Sequence, residues 1–413
     1  MNVKLDGNTK WLCLLVKRAL TASGLSEKEQ ELLTGADING IWELAERHRV
    51  LALVYDVLEG QACLGEKERD RLQRVAASTV RQSYRLLFLS RQLIDILERA
   101  DIPVLVLKGS GVAAWYPVPE YRKSGDIDLC FRDRESALEA LSLLQKEGWH
   151  RKEEEHASHH ICCSNEKGID VELHIRLAEA FDSGELNRKL EELTPVFLEE
   201  RCRREVMGVA LPVPRDAHQA LSLLLHMLHH FLRAGFGLRL LCDWVVFWNG
   251  VREKETAAEF RQLARDCGLE GFAEAVTLVC ERYLGLKRNK VYPAGKGREG
   301  SSLKERFSEG YGERLLTEIM EAGEFGGSAG DRDRMVALRE KSLAGYFREF
   351  HHQMRINYPG ESAKPYKWPT LWMKTLFVFL KNNRRLNRAS LRGILRKAGE
   401  RAELVEEMRL FER

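Results

Sequence analysis

The chain has 413 residues, 44% hydrophobic and 31% charged, enough to bury a sizeable core and to divide into two or three domains. A net charge of +3 excludes a chain that binds nucleic acid over its whole surface, and nine scattered cysteines without a Cys-x-x-Cys pair indicate neither a disulfide framework nor a closed zinc site. The apolar run Trp11 to Val16 stops at Lys17 and Arg18, and Lys374 interrupts the stretch near Leu371 to Leu380, so neither a secretion signal nor a membrane span is read and a cytoplasmic protein is expected.

From Trp11 to about Ala100 apolar residues recur at helical spacing, as in Leu44, Val50, Leu51 and Val54, and in Leu86, Leu87, Leu93, Ile94 and Leu97. Residues 1–100 are expected to be a helical N-terminal domain. At Pro103 the pattern changes. Val104 to Leu107 reads as a buried strand that enters the turn Lys108-Gly109-Ser110-Gly111. A helix from Gly111 to Trp115, a loop with Pro117 and Pro119, a half-buried strand from Asp126 to Phe131 and a helix from Arg134 to Glu147 ending at Gly148 follow. Ile161 to Cys163 and Ile169 to Ile175, joined by the polar Asn165 to Gly168 turn, predict a β-hairpin. Residues 101–205 are therefore expected to be an α/β core.

Helical periodicity returns over Ala217 to Trp248, and residues 206–340 are expected to be a helical C-terminal domain, with glycine- and serine-bearing breaks at 295–302 and 323–330. Residues 341–413 form an aromatic and basic helical segment. The fold class expected is α+β, a small mixed-sheet core flanked by N-terminal and C-terminal helical domains.

The chemistry is concentrated in the core. In Asp126-Ile127-Asp128, strand residues two apart share a face, so both carboxylates emerge together. Adjacent carboxylates repel unless a cation lies between them, and Mg2+ or Mn2+ prefers such oxygen ligands. By itself an Asp-x-Asp pair also describes a solvated strand edge. A strand ending in Lys108-Gly109-Ser110 offers close backbone approach, a charge and a hydroxyl suited to a triphosphate, or else is an ordinary glycine turn. Asp170, Glu172 and His174 share one face of the predicted hairpin strand and bring a third acidic segment.

LKGSG at Leu107 to Gly111, YRKSGDIDL at Tyr121 to Leu129 and VELHIRL at Val171 to Leu177 resemble the nucleotidyltransferase superfamily typified by DNA polymerase β, and within it the bacterial family of uncharacterised nucleotidyltransferases. The likeness extends to AERHRVLALVY at Ala45 to Tyr55 and to the helical stretch carrying His226, His230, Arg239 and Asp243. It implies a metal-dependent enzyme that transfers a nucleoside monophosphate from an NTP, ATP foremost, to a hydroxyl or phosphate acceptor and releases pyrophosphate. The acceptor is a small molecule, a peptide or protein side chain, or an RNA end. Carried over by position, Asp126, Asp128 and Glu172 are the catalytic metal ligands, and Lys108, Gly109, Ser110 and Arg122 bind the nucleotide, with a surface ion pair as the alternative for Arg122. The family's third carboxylate is often aspartate, so Glu172 is read as ligand or as general base. His160, His174, His226, Arg239 and Asp243 are expected at the acceptor or behind the ligands. The rival readings are a noncatalytic nucleotide-binding or interaction scaffold and a γ-phosphate transferase.

His156, His159, His160 and His174 with Cys162 and Cys163 suggest zinc, but adjacent strand residues point to opposite faces, so His159 and His160 cannot share one ion, nor can the two cysteines. His226 and His230 lie one helical turn apart, a spacing that serves a metal pair or, more simply, a cleft wall. Between Lys364 and Lys397 lie ten basic residues and no acidic one, interleaved with Tyr366, Trp368, Trp372, Phe377 and Phe379. This segment is expected either to pack its aromatics on the body, with Leu371, Phe377, Leu380, Ile394 and Leu395 needing cover, or to meet an anionic membrane surface or a nucleic acid. In the second case the protein is peripheral to a membrane, and truncation at about Tyr358 leaves catalysis intact.

Overall fold

The computed structural model describes residues 4–152, 160–181, 183–232, 235–293, 307–324, 347, 350–351, 354–355, 358–362, 364–385 and 391–411. The first helices start where a side chain satisfies their free amides. Asp6 accepts from Thr9 N at 2.8 Å ahead of α1 (Gly7–Leu20), Ser26 and Glu29 make a reciprocal capping box on α2 (Glu27–Leu33), and Asp37 caps α3 (Ile38–Arg47). After the short α4 (Tyr55–Leu58) comes α5 (Glu66–Arg99), 34 residues long. Its length lets it serve two cores: Leu72 joins the larger apolar cluster, whereas Leu86, Leu87, Leu93, Ile94 and Leu97 join the one under the sheet.

Five strands, β1 (Leu105–Val106), β2 (Ile127–Cys130), β3 (His150–Arg151), β4 (His160–Ser164) and β5 (Asp170–His174), form a mixed sheet in the order β1-β2-β5-β4-β3. β2 and β5 are parallel; the other neighbours are antiparallel. A parallel pair needs a crossover, which begins with α7 (Arg134–Lys146), capped by Asp133 and ended at Gly148 with φ +83°. Between β1 and β2 lies the short α6 (Ser110–Ala113). The expected hairpin, the α7 boundaries and the mixed sheet are all present.

Strand alternation divides the sheet chemically. Ile127, Leu129, Val171, Leu173, Ile161 and Cys163 pack with residues of α5 and α7 into one buried cluster. In the same register Asp128 stands beside Glu172, Glu172 beside Cys162, and His174 beside His160. This second face looks towards the larger core.

Sequence patterning assigned nothing to α8 (Gly184–Glu199) or to the hairpin β6 (Cys202–Val206) and β7 (Val209–Val213). The hairpin turns through Met207 and Gly208, both at positive φ, the geometry that a two-residue turn requires. It packs on β1, α5 and α6, so the α/β layer runs on through Val213. The apolar stretch expected as one helical run is two helices, α9 (Asp216–Leu232) and α10 (Leu238–Gly250), followed by α11 (Glu255–Asp266) and α12 (Glu270–Val279). α1 packs against both α3 and α10, which puts the N-terminal and C-terminal helices in one core.

The C-terminal helix Leu391–Met408 returns to the body: Ala402, Leu404, Val405 and Met408 are buried, and Phe411 N donates to Gly268 O at 2.9 Å. Helix Trp368–Arg385 has two characters. Leu371 and Thr375 are buried and Trp372 Nε1 donates to His351 Nδ1 at 3.2 Å, but Met373 and Phe377 are 73% and 67% exposed. The cover expected for Phe377 is therefore absent among the described residues, while the side chains of Leu380, Ile394 and Leu395 lie outside them. No helix among the described residues is long and apolar enough to cross a membrane.

Candidate active site

The end of β1 is fixed before its chemistry begins. Leu107 N donates to Asp128 O at 3.2 Å, and the buried Gln219 of α9 donates from Nε2 to Leu107 O at 2.9 Å. The chain then turns at Gly109 with φ +62° and ψ −120°, a region open to glycine and strained for other residues. A Cβ at Gly109 would meet only Asp126 O, at 3.7 Å, so backbone conformation rather than crowding demands the glycine.

Below this turn the carboxylates converge. Asp128 and Glu172 are register partners on the parallel strands, Asp126 precedes β2 on the same side, and one oxygen from each lies within 4.8 Å of the others. Asp128 is 1% exposed. Its Oδ1 lies 3.0 Å from Lys108 Nζ and 2.9 Å from His174 Nε2, whereas its buried Oδ2 has no hydrogen-bond partner among the described residues. His174 Nε2 also lies 3.1 Å from Glu172 Oε2 and so ties two of the acids together. An orphaned oxygen, two neighbouring carboxylates and a cavity fit a hard divalent cation, with Asp126, Asp128 and Glu172 as its ligands.

The electrostatics follow from this crowding. The Asp128 charge, and then burial, push Asp126 up to about 6. Burial opposes charge on His174 and Lys108, but the carboxylates outweigh it and hold them at about 9 and about 12. For Glu172 the burial penalty is overcome by His174 and Lys108, which keep its carboxyl well below the usual range.

The acids line a cavity of about 610 Å³. Lys108, Gly109, Arg122, His160, His174, His226 and Arg239 line it as expected, together with His229 and His230. His226 and His230 rings are 4.6 Å apart, as their helical spacing predicts, and burial with the nearby Lys108 charge keeps His226 well below its usual range. His160 stands 5.4 Å from the His174 ring. His156 and His159 lie outside the described residues. Cys163 lies in the apolar cluster beneath the sheet and Cys162 outside it, as strand alternation predicts, while His160, Glu172 and His174 form a second group that could hold a metal ion. Ser110 is half-buried at the start of α6 and is not among the residues that line the cavity.

Arg122 and Asp243 take a role that sequence reasoning did not give them. Arg122 is 3% exposed, and its Nε and Nη2 donate to Asp243 Oδ1 and Oδ2, each at 2.8 Å. Tyr116 OH donates to Asp243 Oδ1 at 2.7 Å, and Arg122 Nη1 also reaches Ser124 Oγ. This is a closed, buried pair, not the surface pair weighed for Arg122, and it clamps the loop before β2 to α10. Asp243 does not line the cavity. Sequence reasoning also missed Gln219, Arg49 and Glu324, whose partners lie far away in the chain.

The class follows from the sheet: an α+β core that presents carboxylates from two parallel neighbours beneath a strand-borne glycine turn is of the nucleotidyltransferase type. The family model described as "Uncharacterised nucleotidyltransferase" matches residues 34–285, well over half of the chain, and the chain belongs to this family. No curated protein matches it.

Proposed function

We propose that the protein transfers a nucleoside monophosphate from an NTP, ATP foremost, to a hydroxyl or phosphate acceptor, with Mg2+ or Mn2+ held by Asp126, Asp128 and Glu172. The observation that carries this reading is the convergence of the three carboxylates around the partnerless Asp128 Oδ2. An acceptor oxygen attacks the α-phosphorus, a hydroxyl acceptor losing its proton to solvent, the bond from that phosphorus to the bridging oxygen of the β-phosphate breaks, and pyrophosphate leaves. A cation held by Asp126, Asp128 and Glu172 would supply charge neutralisation to this step. The chain's own part is alignment: His174 and Lys108 fix Asp128, Gln219 fixes the strand that carries the glycine turn, and the cavity-lining histidines His226, His229 and His230 receive the acceptor. With Glu172 Oε2 held by His174, its second oxygen remains for a cation, which favours the ligand role.

Incubation with each of four α-labelled NTPs, Mg2+ or Mn2+ and fractionated acceptors is the direct test. Labelled product that depends on metal is expected. Metal-dependent NTP binding with no product would instead indicate the noncatalytic scaffold, and label transferred from the γ position alone would indicate a phosphotransferase.

A further inference from the structure

A triphosphate needs cationic side chains as well as metal at its far end. Both cations that the sequence offered for this task line the cavity but already hold carboxylate partners: Lys108 Nζ lies 3.0 Å from Asp128 Oδ1, and Asp243 holds the guanidinium of Arg122. Two other guanidiniums line the same cavity. Arg239 Nε donates to Glu324 Oε1 at 2.6 Å, and Arg49 Nε lies 2.8 Å from Glu324 Oε2, so one carboxylate bridges two arginines. The side chains of Arg239 and Glu324 are each 11% exposed. Arg239 is close enough to the acids for its charge to act on Asp126.

The bridge is built, not incidental. It joins the turn after α3, the start of α10 and the end of helix Tyr311–Ala322, and backbone contacts lock all three. Leu238 N donates to His48 Nδ1 at 3.2 Å, Arg47 Nη2 to Met320 O at 2.9 Å, and Glu324 N to Arg47 O at 3.1 Å. Arg49 itself has φ +56°, a strained conformation for a non-glycine residue that persists only where its surroundings impose it. Gly237 is required by closeness, because a Cβ there would lie 2.9 Å from His48 Nδ1 and 3.0 Å from Glu324 Cα.

A guanidinium fork recognises carboxylate and phosphate through the same paired N–H geometry, so a carboxylate bridging two arginines in a catalytic cavity occupies a phosphate-shaped position. We propose that Arg49 and Arg239 form the subsite for the β- and γ-phosphates of the NTP, and that Glu324 holds both guanidiniums in place until phosphate oxygens displace it. This rests on the nucleotidyl-transfer reading and names the groups that would grip the leaving pyrophosphate.

Inorganic tripolyphosphate with Mg2+, titrated by calorimetry into the full chain, probes the subsite without an acceptor. Arg49→Gln and Arg239→Gln are each expected to raise Kd about tenfold or more, as loss of a charged hydrogen-bond donor does. Glu324→Gln is expected to lower Kd by removing the competing anion. Arg49→Lys and Arg239→Lys keep the charge and lose the fork, so they should also weaken binding, and they keep the test valid if a glutamine variant fails to fold. Wild-type affinity in folded Arg49 and Arg239 variants overturns the subsite. If that result accompanies labelled product from the wild-type protein, only the subsite fails. A wild-type protein that binds neither tripolyphosphate nor NTP overturns both the subsite and the reading beneath it.

Discussion

Asp243 and Asp128 are both 1% exposed and both stand beside a cation, yet their surroundings differ in kind. Asp243 has each oxygen engaged, by Arg122 on two atoms and by Tyr116, and no second carboxylate joins it in a metal-ready group among the described residues. Asp128 has both its partners on Oδ1, none on Oδ2 among the described residues, and two more carboxylates alongside. A buried polar atom left without a partner costs about 1–3 kcal/mol, more when charged. The closed pair holds a loop on a helix, whereas the open one keeps an acid ready for a ligand at the expense of stability.

The largest expected effect lies on the open side. Asp126→Asn with Asp128→Asn should lower the proposed nucleotidyl transfer by a factor on the order of 10³ or more, because the proposed cation would lose two of its three ligands. The melting temperature should hold or rise, since Asp126 is already pushed up to about 6 by the Asp128 charge and then by burial. Turnover assays and thermal melts on one preparation decide this. Normal turnover, or an unfolded protein, would erase the contrast.

Asp243→Ala should do the opposite. It strands the buried Arg122 guanidinium, for which about 3–5 kcal/mol of lost stability is expected. Urea unfolding reads this directly, and activity should fall only as folded protein is lost. A stable Asp243→Ala protein with abolished activity would move Asp243 into the catalytic machinery.

A smaller effect comes from pH. His48 is fully buried, and burial followed by the neighbouring Arg47 charge pushes it down to about 4. The folded protein thus keeps it neutral over a range in which the unfolded chain, titrating near 6.5, takes up a proton. Between these values the unfolded state binds more protons, so this group's contribution to stability falls as pH drops from about 6.5 towards about 4 and is unaffected above that window. His48→Gln should flatten that part of the melting-temperature profile. An unchanged acid limb would show that other groups govern it.

What was legible in the sequence was local or repeated at strand and helix periods. Asp126 and Asp128 could be assigned to one strand face because residues two apart share it, and the resemblance added Glu172 as a third ligand, whereas the parallel pairing that sets Asp128 beside Glu172 appears only in the fold. The end of α7 followed from Gly148, whereas its Asp133 cap appears only in the fold. Partnership across long stretches of chain was invisible. Arg122 meets Asp243 across 121 residues and Arg239 meets Glu324 across 85, and no periodicity signals either. The hairpin β6–β7 carries a Met-Gly turn that composition does not mark, so its positive φ values appear only in the fold. The basic C-terminal segment was read as one unit, although its helices divide between covered and exposed faces.

The smallest expected effect tests that division on helix Trp368–Arg385. Leu371 is 1% exposed, and Leu371→Ala should cost about 2–5 kcal/mol through a lost buried side chain. On the outer face, Met373→Ser with Phe377→Ser removes groups that are 73% and 67% exposed, so stability should move by no more than about 0.5 kcal/mol per site. Lys364, Lys367 and Lys374 lie near Met373 and Phe377 in sequence, and an anionic partner there would give binding to phosphatidylserine vesicles or to RNA that weakens as salt rises. Truncation at about Tyr358 cannot make this test cleanly, because it also removes Leu404, Val405 and Met408 from the body. The double serine variant leaves that packing untouched. Salt-sensitive binding lost in this variant assigns the outer face to a partner, whereas a large drop in melting temperature would show that Met373 and Phe377 belong to the folded core.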